Sequence, residues 1–232
     1  MFINTPVIVL KSFPYSETSI IARCFSRDKG KISFIIKGAY SKKASKSAEF
    51  QPMNYLDVIY KYNPKRELQI LYKVNFKESW PKILTDIRAI TFSMTILEIT
   101  DKILSFEDPY PDLFKSLVNV LREYNNKILD QNILFWYYEC SLLSYLGFHP
   151  DLNDNTFLSV RNINYNLNPQ IKSILVGLLK KDIYNFSKIR ISSKNRKIIS
   201  KYLWSLLCFH FEGLENIKSM SVARKILKDI NF

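Results

Sequence analysis

Three lysines in a short polar run are the clearest candidates for a binding role in this sequence. Residues 41–47 read SKKASKS and show no apolar face at the period of a strand or of a helix, so they predict an exposed loop. Lys42, Lys43 and Lys46 have almost no packing alternative there, so their ammonium groups are either solvated or bound to phosphate. A nucleic-acid backbone is the partner that such a strip of cations suits best.

The sequence contains no recognisable group of catalytic residues. Of its two histidines, His149 lies in an irregular segment and His210 on an apolar helix, where a lone histidine is more often a satisfied core residue. Asp151 and Asp154 share a loop, and helix capping or solvation explains them better than metal binding. Glycine-rich phosphate-binding motifs are absent. We expect a protein that is not an enzyme and uses no cofactor or metal; a nuclease whose carboxylates meet only on folding is the alternative.

The cysteines and the apolar segments indicate a compartment. Cys24, Cys140 and Cys208 lie far apart and show no CxxC spacing, so we interpret each as a buried apolar residue in a reducing environment, without a structural zinc. No apolar run reaches the roughly 20 residues of a membrane-spanning helix. The first residues have no cation ahead of their apolar stretch and no small-residue cleavage site. We expect a cytoplasmic protein.

Positive charge is unevenly distributed along the 232 residues, whose formal net charge is +13. Residues 1–76 carry a net +8, residues 77–160 carry −5, and residues 161–232 carry +10. A general drift of a lysine-rich protein toward basic composition is one interpretation. An acidic centre between two basic flanks favours the other, a surface with faces of opposite sign.

The lysine run follows a predicted hairpin, whose two β-favouring stretches flank a turn that ends in Gly30. The strands are expected at residues 5–13, 18–25, 32–37, 55–60 and 68–74, with Pro14 closing the first, a loop at 38–52 and a turn at 63–66. Five short strands without an intervening helix indicate a small antiparallel barrel or sandwich. Their number, in about 75 residues, matches an OB-fold, a five-stranded β-barrel.

From about Trp80 the apolar residues recur at three and four positions, which predicts helices. These are expected at residues 83–103, at 113–124 with Asp112 as N-cap, at 133–146 with Asp130 as N-cap and Gly147 after the end, at 171–180, at 194–210 with Ser192 or Ser193 as cap, and at 219–229. Residues 148–170 look irregular. The predicted fold class is α+β, with an OB-fold domain at 1–76 and an all-helical domain at 77–232.

An OB barrel binds single-stranded nucleic acid by stacking bases on exposed aromatic side chains while cations follow the phosphates. The candidate aromatic residues are Tyr15, Phe34, Tyr40, Tyr60, Tyr62 and Tyr72. We expect Phe34 to be buried, since half of an alternating strand faces the core, whereas Tyr40 and Tyr62 lie at strand ends in polar company. Lys31 and Lys61 are further cations of the barrel. The predicted DNA contacts are Arg23, Arg27, Lys29, Lys37, Tyr40, Lys42, Lys43, Lys46, Lys65 and Arg66.

The first 76 residues resemble the N-terminal domain of the RecO family. The matching pieces are Tyr15 and Glu17, the Phe-Ser-x-x-x-Gly turn from Phe25 to Gly30, Lys37-Gly38-Ala39 with the basic Ser/Lys loop, Gln51-Pro52, and Arg66-Glu67-Leu68. A more diffuse similarity continues through the helical part, notably at residues 145–152, YLGFHPDL. Many RecO-like proteins carry a four-cysteine zinc motif after the corresponding segment. Residues 153–167 contain no cysteine, so this chain is expected to lack that metal.

The resemblance implies an OB-fold followed by a helical domain, and a non-catalytic mediator of homologous recombinational repair in the RecF pathway. RecO-like proteins bind single- and double-stranded DNA, anneal complementary strands, and act with RecR and often RecF. Together they load RecA onto DNA that is coated by single-stranded-DNA-binding protein. The resemblance therefore implies work at the bacterial nucleoid.

The acidic, Phe-ending tail of the single-stranded-DNA-binding protein would seek a basic rim around an apolar pocket. The candidate residues in the helical part are Lys194, Arg196, Lys197 and Lys201, on a helix that also carries Trp204, with Arg224 and Lys225 nearby in sequence. A solvated helix face is the alternative interpretation of these cations. For the chain as a whole, the alternatives are a generic OB-fold protein for single-stranded nucleic acid, a metal-dependent nuclease, and a peripheral membrane protein that places its cations on anionic lipid.

Overall fold

Five strands at the start of the chain close into a β-barrel in the computed structural model, which describes residues 1–40, 46–152, 167–181, 183, 186 and 189–227. The strands are β1 (Phe2–Pro14), β2 (Ile20–Ser26), β3 (Gly30–Ile36), β4 (Tyr55–Lys61) and β5 (Leu68–Glu78). They follow one another round the barrel in the order β1-β2-β3-β5-β4, and β4 pairs with β1 to close it. The β3–β5 pairing is parallel and the other four are antiparallel.

The barrel closes around side chains that alternate along its strands. Val7 and Val9 of β1 point inward, as do Phe34 of β3 and Tyr60 of β4, whose rings meet edge to face with centroids 5.2 Å apart. All four are fully buried. The period-2 pattern of the sequence therefore becomes one apolar interior, and the prediction of a five-stranded OB-fold barrel followed by helices is confirmed.

Two of the helices begin at capping residues that the sequence identified. They are α1 (Lys46–Glu49), α2 (Ile87–Ile103), α3 (Pro111–Asn126), α4 (Gln131–Tyr145), α5 (Pro169–Leu179), α6 (Ser193–His210) and α7 (Lys218–Ile226). Asp130 accepts hydrogen bonds from the backbone N–H groups of Asn132 and Ile133, and Ser192 accepts one from that of Asn195, as predicted for N-caps. The N-cap predicted at Asp112 is wrong, because α3 already starts at Pro111, a residue suited to the first helical position.

Several segments differ from the predicted elements. The helix predicted at 83–103 begins at Ile87, after a separate 3-10 turn at Ile83–Thr85. The loop predicted at 38–52 contains the single helical turn α1, which starts at Lys46 and is followed by the fully buried Phe50. The predicted helix 219–229 ends at Ile226, and residues 228–229 lie outside the described part of the chain. All three cysteines are buried, which confirms their interpretation as core residues.

The chain forms two compact units, residues 1–125 and 126–232. The first unit extends beyond the strands because Phe114 of α3 packs edge to face against Phe25 and Tyr55 of the barrel, at 5.4 and 5.8 Å between ring centroids. The predicted division into domains 1–76 and 77–232 follows the change from strands to helices and stays a prediction. No helix within the described ranges has the length and apolar character needed to cross a membrane.

Candidate nucleic-acid interface

The turn between β2 and β3 is held in a fixed shape. The hydroxyl oxygen of Ser26 accepts hydrogen bonds from the backbone N–H groups of Asp28 and Lys29, at 3.3 and 3.1 Å. Gly30 ends the turn with φ +64°, and a side chain there would overlap the backbone carbonyl of Asp108 in the loop after α2. A glycine is therefore required both for the turn and for close packing of that loop against the hairpin.

A cleft of about 600 Å³ opens on the outer side of β2 and β3. Apolar side chains of its wall include Phe13, Ile21 and Phe106, and four cations, Arg23, Lys31, Lys65 and Arg66, also line it. Phe106 is half exposed and belongs to the loop after α2 that packs against the hairpin turn. The cleft thus combines exposed aromatic surface with positive charge, the combination that single-stranded nucleic acid requires.

Asp101 of α2 orders two of these cations. Both of its carboxylate oxygens accept hydrogen bonds from Nη1 of Arg23, at 3.0 and 2.8 Å, and its backbone carbonyl accepts one from Nζ of Lys31 at 2.7 Å. The Lys31 ammonium also lies over the Phe106 ring, 4.7 Å from its centroid. Burial lowers the pKa of Lys31, against the opposing effect of the nearby Asp101 carboxylate. Asp101 therefore offsets part of the charge at the inner end of the cleft.

Lys65 and Arg66 are more accessible to an external anion than Arg23 and Lys31 are. They lie on the β4–β5 turn, which a buried glutamine holds in place. Gln69 is 1% exposed, and its Nε2 donates to the backbone carbonyls of Asn63 and Arg66 at 2.9 and 2.7 Å. Its Oε1 accepts from the backbone N–H of Asn63 at 3.0 Å. Both cations are exposed at the rim of the cleft, where phosphates could reach them.

Two acids, Glu67 and Glu107, also line the cleft. Oε2 of Glu107 accepts a hydrogen bond from the Tyr62 hydroxyl at 3.0 Å, and this bond raises the pKa of that tyrosine. The Lys29 ammonium lies 5.6 Å from the centroid of the Tyr62 ring. Tyr62 and Lys29 therefore form a half-exposed group beside the cleft, with Glu107 fixing the orientation of the phenol.

The other predicted DNA contacts are distributed around the barrel. Arg27 forms an exposed ion pair with Asp28, at 2.8 Å between Nε and Oδ1. Lys37 and Tyr40 are exposed just after β3, and Lys46 is exposed at the start of α1. Of the predicted residues that the structure describes, Arg23, Lys65 and Arg66 line the cleft. Lys42 and Lys43 lie outside the described residues.

The candidate aromatic residues separate into core and surface. Phe34 is buried, as expected, and Tyr60 is also fully buried, so its candidacy for base stacking is wrong. Tyr15 and Tyr72 are exposed, at 58% and 71%. Phe13 and Phe106 in the cleft wall were not among the predicted aromatic residues. Phe106 could not be assigned to the binding site from the sequence, because it lies in a loop far along the chain from the hairpin that it contacts. Its polar neighbours in the sequence indicated only that it is exposed.

In the second unit, one of the predicted partner-binding cations has a structural role. Arg196 donates to both carboxylate oxygens of Asp130, at 3.1 and 2.8 Å, and so links α6 to the N-terminus of α4. Burial alone would raise the pKa of Asp130, but Arg196 and Asn132 hold it below its usual value. The exposed members are Lys194, Lys197, Lys201, Arg224 and Lys225, whereas Trp204 is largely buried.

The histidines show no arrangement for chemistry within the described residues. His149 is exposed, whereas His210 stacks on Phe148 with ring centroids 4.4 Å apart, and burial lowers the pKa of His210. Among the residues that the structure describes, no group of three or more His, Cys, Asp and Glu side chains could hold a metal ion. The region expected to lack the zinc motif, residues 153–167, lies almost entirely outside them.

Two family models match the chain: "Recombination protein O N terminal" over residues 1–80 and "Recombination protein O C terminal" over residues 84–220. The DNA repair protein RecO of Salinibacter ruber is 33% identical over 148 residues, which is 64% of this chain and 57% of that protein. Those of Flavobacterium psychrophilum and Alkaliphilus metalliredigens are 27% and 23% identical, over 97% of this chain and 99% and 100% of their own lengths. Both units of the chain thus have counterparts in proteins of that name.

Proposed function

The chain belongs to the RecO family of DNA repair proteins, and from this premise we propose that it binds and anneals DNA as a non-catalytic mediator of homologous recombinational repair. In this role it would act with RecR, and where present RecF, to help RecA assemble on DNA coated by single-stranded-DNA-binding protein. Its place of work would be the cytoplasm, at the nucleoid. Both single- and double-stranded DNA are expected ligands.

The observation that carries this proposal is the cleft on β2 and β3. Phe13 and Phe106 offer ring surface on which bases can stack, and Lys65 and Arg66 stand at the rim where a backbone would pass. Stacking of bases on aromatic side chains tolerates any sequence, because every base has a π-face. The arrangement therefore suits a protein that must handle single strands regardless of their sequence.

Annealing adds a requirement that the overall charge helps to meet. Two complementary strands are polyanions, and their approach is opposed by repulsion between phosphates. A protein with a net charge of +13 offsets that repulsion wherever its cations contact both strands. The family role and the charge thus point to the same activity.

The partner-binding surface of the second unit remains a proposal. Lys194, Lys197 and Lys201 on α6, with Arg224 and Lys225 on α7, are exposed and positively charged, which suits an acidic peptide tail. Arg196 is expected to act indirectly, since its guanidinium is bound to Asp130. The tail of the single-stranded-DNA-binding protein is the proposed ligand.

An annealing assay tests the proposal and separates it from nuclease activity. Complementary labelled oligonucleotides would be mixed with the full chain, with and without magnesium or manganese. Duplex formation would be read on a native gel, and strand length on a denaturing gel. We expect faster annealing and intact strands. Shortened products would contradict the non-catalytic role, and strands that neither bind nor anneal would contradict the proposed function altogether.

A variant of the cleft tests whether the cleft is the site of oligonucleotide binding. Lys65→Ala/Arg66→Ala is expected to weaken binding of single-stranded oligonucleotides by about tenfold, since two phosphate contacts are lost. Lys82→Ala/Lys115→Ala removes the same charge from exposed positions of the same unit outside the cleft and serves as the matched control. Equal losses in the two variants would show that net charge, and not the cleft, governs binding.

A further inference from the structure

A second exposed surface lies on β1, β4 and β5, and it shares no residue with the cleft. We call it the β5 face: Phe2 of β1, Ile59 and Lys61 of β4, and Ile70, Tyr72 and Lys73 of β5. These strands are neighbours in the order β5-β4-β1. The cleft lies mainly on β2, β3 and the β4–β5 turn, and it reaches β1 only at Phe13 and β5 only at Leu68. Across the β5 face Phe2 is opposite Lys61, which is opposite Ile70, and Ile59 is opposite Lys73.

A β-bulge builds this face. Tyr60 of β4 pairs with Leu71, and the preceding residue, Ile59, pairs with Lys73, so Tyr72 is an extra residue in β5. Leu71 and Val74 both pack against the barrel core, and the two residues between them, Tyr72 and Lys73, are both exposed. A regular strand would have sent one of the two inward. The bulge thus turns an aromatic ring and a cation outward side by side, as bulges at functional sites do.

The aromatic residues of the β5 face form an exposed pair. The rings of Phe2 and Tyr72 meet edge to face with centroids 5.2 Å apart, although the two side chains are 57% and 71% exposed. Their packing against each other restricts both rings while leaving most of their surface in solvent. Such rings can accept stacked bases with little further loss of side-chain freedom.

The cations of the β5 face are uncompensated within the described residues, where neither Lys61 nor Lys73 forms an ion pair. A second bulge on β5 provides the contrast. It also places an aromatic residue before a lysine, Phe76 and Lys77, and both are exposed. However, Nζ of Lys77 lies 3.3 Å from Oδ1 of Asp57 and over the ring of Tyr55. Only the first bulge therefore combines free charge with a pair of exposed rings.

We propose that the β5 face binds a second single strand of nucleic acid, separate from the strand in the cleft. Paired exposed rings favour bases, and the uncompensated lysines beside them favour phosphates. The inference rests on the proposed function, because annealing requires that two strands be held together. With the cleft mainly on β2, β3 and the β4–β5 turn, and the β5 face on other residues of β5, β4 and β1, one barrel would hold both.

Photochemical cross-linking locates the strand directly. An oligothymidine that carries 5-iodouracil would be irradiated with the full chain, and the modified residues identified by mass spectrometry of tryptic peptides. We expect cross-links at Tyr72 or Phe2 in addition to cleft residues such as Phe13 and Phe106. Cross-links confined to the cleft would overturn the inference and leave the proposed function standing, whereas no cross-link and no binding at all would overturn both.

A pair of matched variants measures the contribution of the β5 face. In the Lys65→Ala/Arg66→Ala background, Tyr72→Ala/Lys73→Ala is expected to weaken the remaining oligothymidine binding about fivefold or more, the effect of one lost stack. Phe76→Ala/Lys77→Ala removes the same kinds of side chain from the second bulge and should have less than a twofold effect. Equal effects would overturn the assignment. The Tyr72→Ala/Lys73→Ala variant would also be tested for flotation with anionic phospholipid vesicles. If this variant no longer floats with the vesicles but binds oligothymidine as before, the β5 face binds lipid and the proposal is overturned.

Discussion

Arg23 and Arg196 show how a single carboxylate changes what an arginine can do. Each was a candidate ligand for an external anion, and each donates to both oxygens of one aspartate, Asp101 or Asp130. To reach either guanidinium, a phosphate would have to displace charge-assisted hydrogen bonds, which come from Nη1 alone in Arg23 and from both terminal nitrogens in Arg196. The cations most available for phosphate at the cleft are therefore Lys65 and Arg66, whose side chains are exposed.

Glu139 is a buried acid of α4 whose effect on stability can be measured. Its side chain is 1% exposed, and neither carboxylate oxygen has a hydrogen-bond partner among the residues that the structure describes. Burial raises the pKa of Glu139 well above its usual value of about 4.3. Between that value and the folded pKa, the unfolded chain releases a proton that the folded chain retains. The contribution of Glu139 to stability therefore falls as pH rises through this window.

We predict that Glu139→Leu raises the free energy of unfolding, and that its advantage over the wild type grows with pH. The growth should reach up to about 1.4 kcal/mol per pH unit above about pH 4, since one proton is involved. Urea denaturation at pH 4, 6 and 8 measures it. Glu212→Leu, at an exposed position, is the control and should show no such trend. A pH-independent difference for Glu139→Leu would mean that the carboxyl is ionised in the folded protein.

The β4–β5 turn is the element that presents the exposed cations of the cleft, and it depends on one side chain. We predict that Gln69→Leu lowers the free energy of unfolding by about 1–3 kcal/mol. Three backbone groups of the turn lose the hydrogen bonds that the buried Gln69 side chain provides. Oligonucleotide affinity should fall as well, since Lys65 and Arg66 are no longer held at the rim. Urea denaturation and fluorescence anisotropy measure the two effects.

Gln51→Leu is the control for that prediction. Gln51 is exposed and makes one side-chain hydrogen bond, to the carbonyl of Ser47, so its loss should change stability by less than about 0.5 kcal/mol. Full oligonucleotide affinity in Gln69→Leu, with stability reduced, would show that the turn does not position the cations for binding.

Among the secondary-structure elements, the sequence predicted those features that depend on local periodicity and local capping. Alternation identified all five strands, and capping chemistry identified Asp130 and Ser192. It could not show which strand face a given aromatic occupies, so Tyr60 was a candidate for stacking although it lies in the core. The extra residue Tyr72 depends on the pairing of two strands, and Phe106 reaches the cleft through a loop after α2. Both are consequences of tertiary structure that no local pattern contains.

At the scale of the whole molecule, the question is whether DNA responds to the overall field or to particular contacts. A net charge of +13 attracts polyanions from any direction, but this attraction is screened within about 10 Å at moderate salt. Contacts that release counterions leave a different mark, a linear dependence of log affinity on log salt concentration. The two contributions can therefore be separated by variants that change net charge equally at different places.

We predict that Lys42→Ala/Lys43→Ala/Lys46→Ala weakens binding of single strands to a similar extent for all sequences. It should flatten the salt slope by roughly 0.7 for each lost contact, about 2 in total. Lys77→Ala/Lys82→Ala/Lys115→Ala lowers the net charge by the same amount at exposed positions outside the cleft, and its slope should stay close to that of the wild type. Fluorescence anisotropy with labelled oligothymidine and a mixed-sequence oligonucleotide, titrated at several salt concentrations, provides both slopes. If the first variant keeps the wild-type slope, the lysine run does not contact phosphate, and the cleft and the β5 face must account for the affinity.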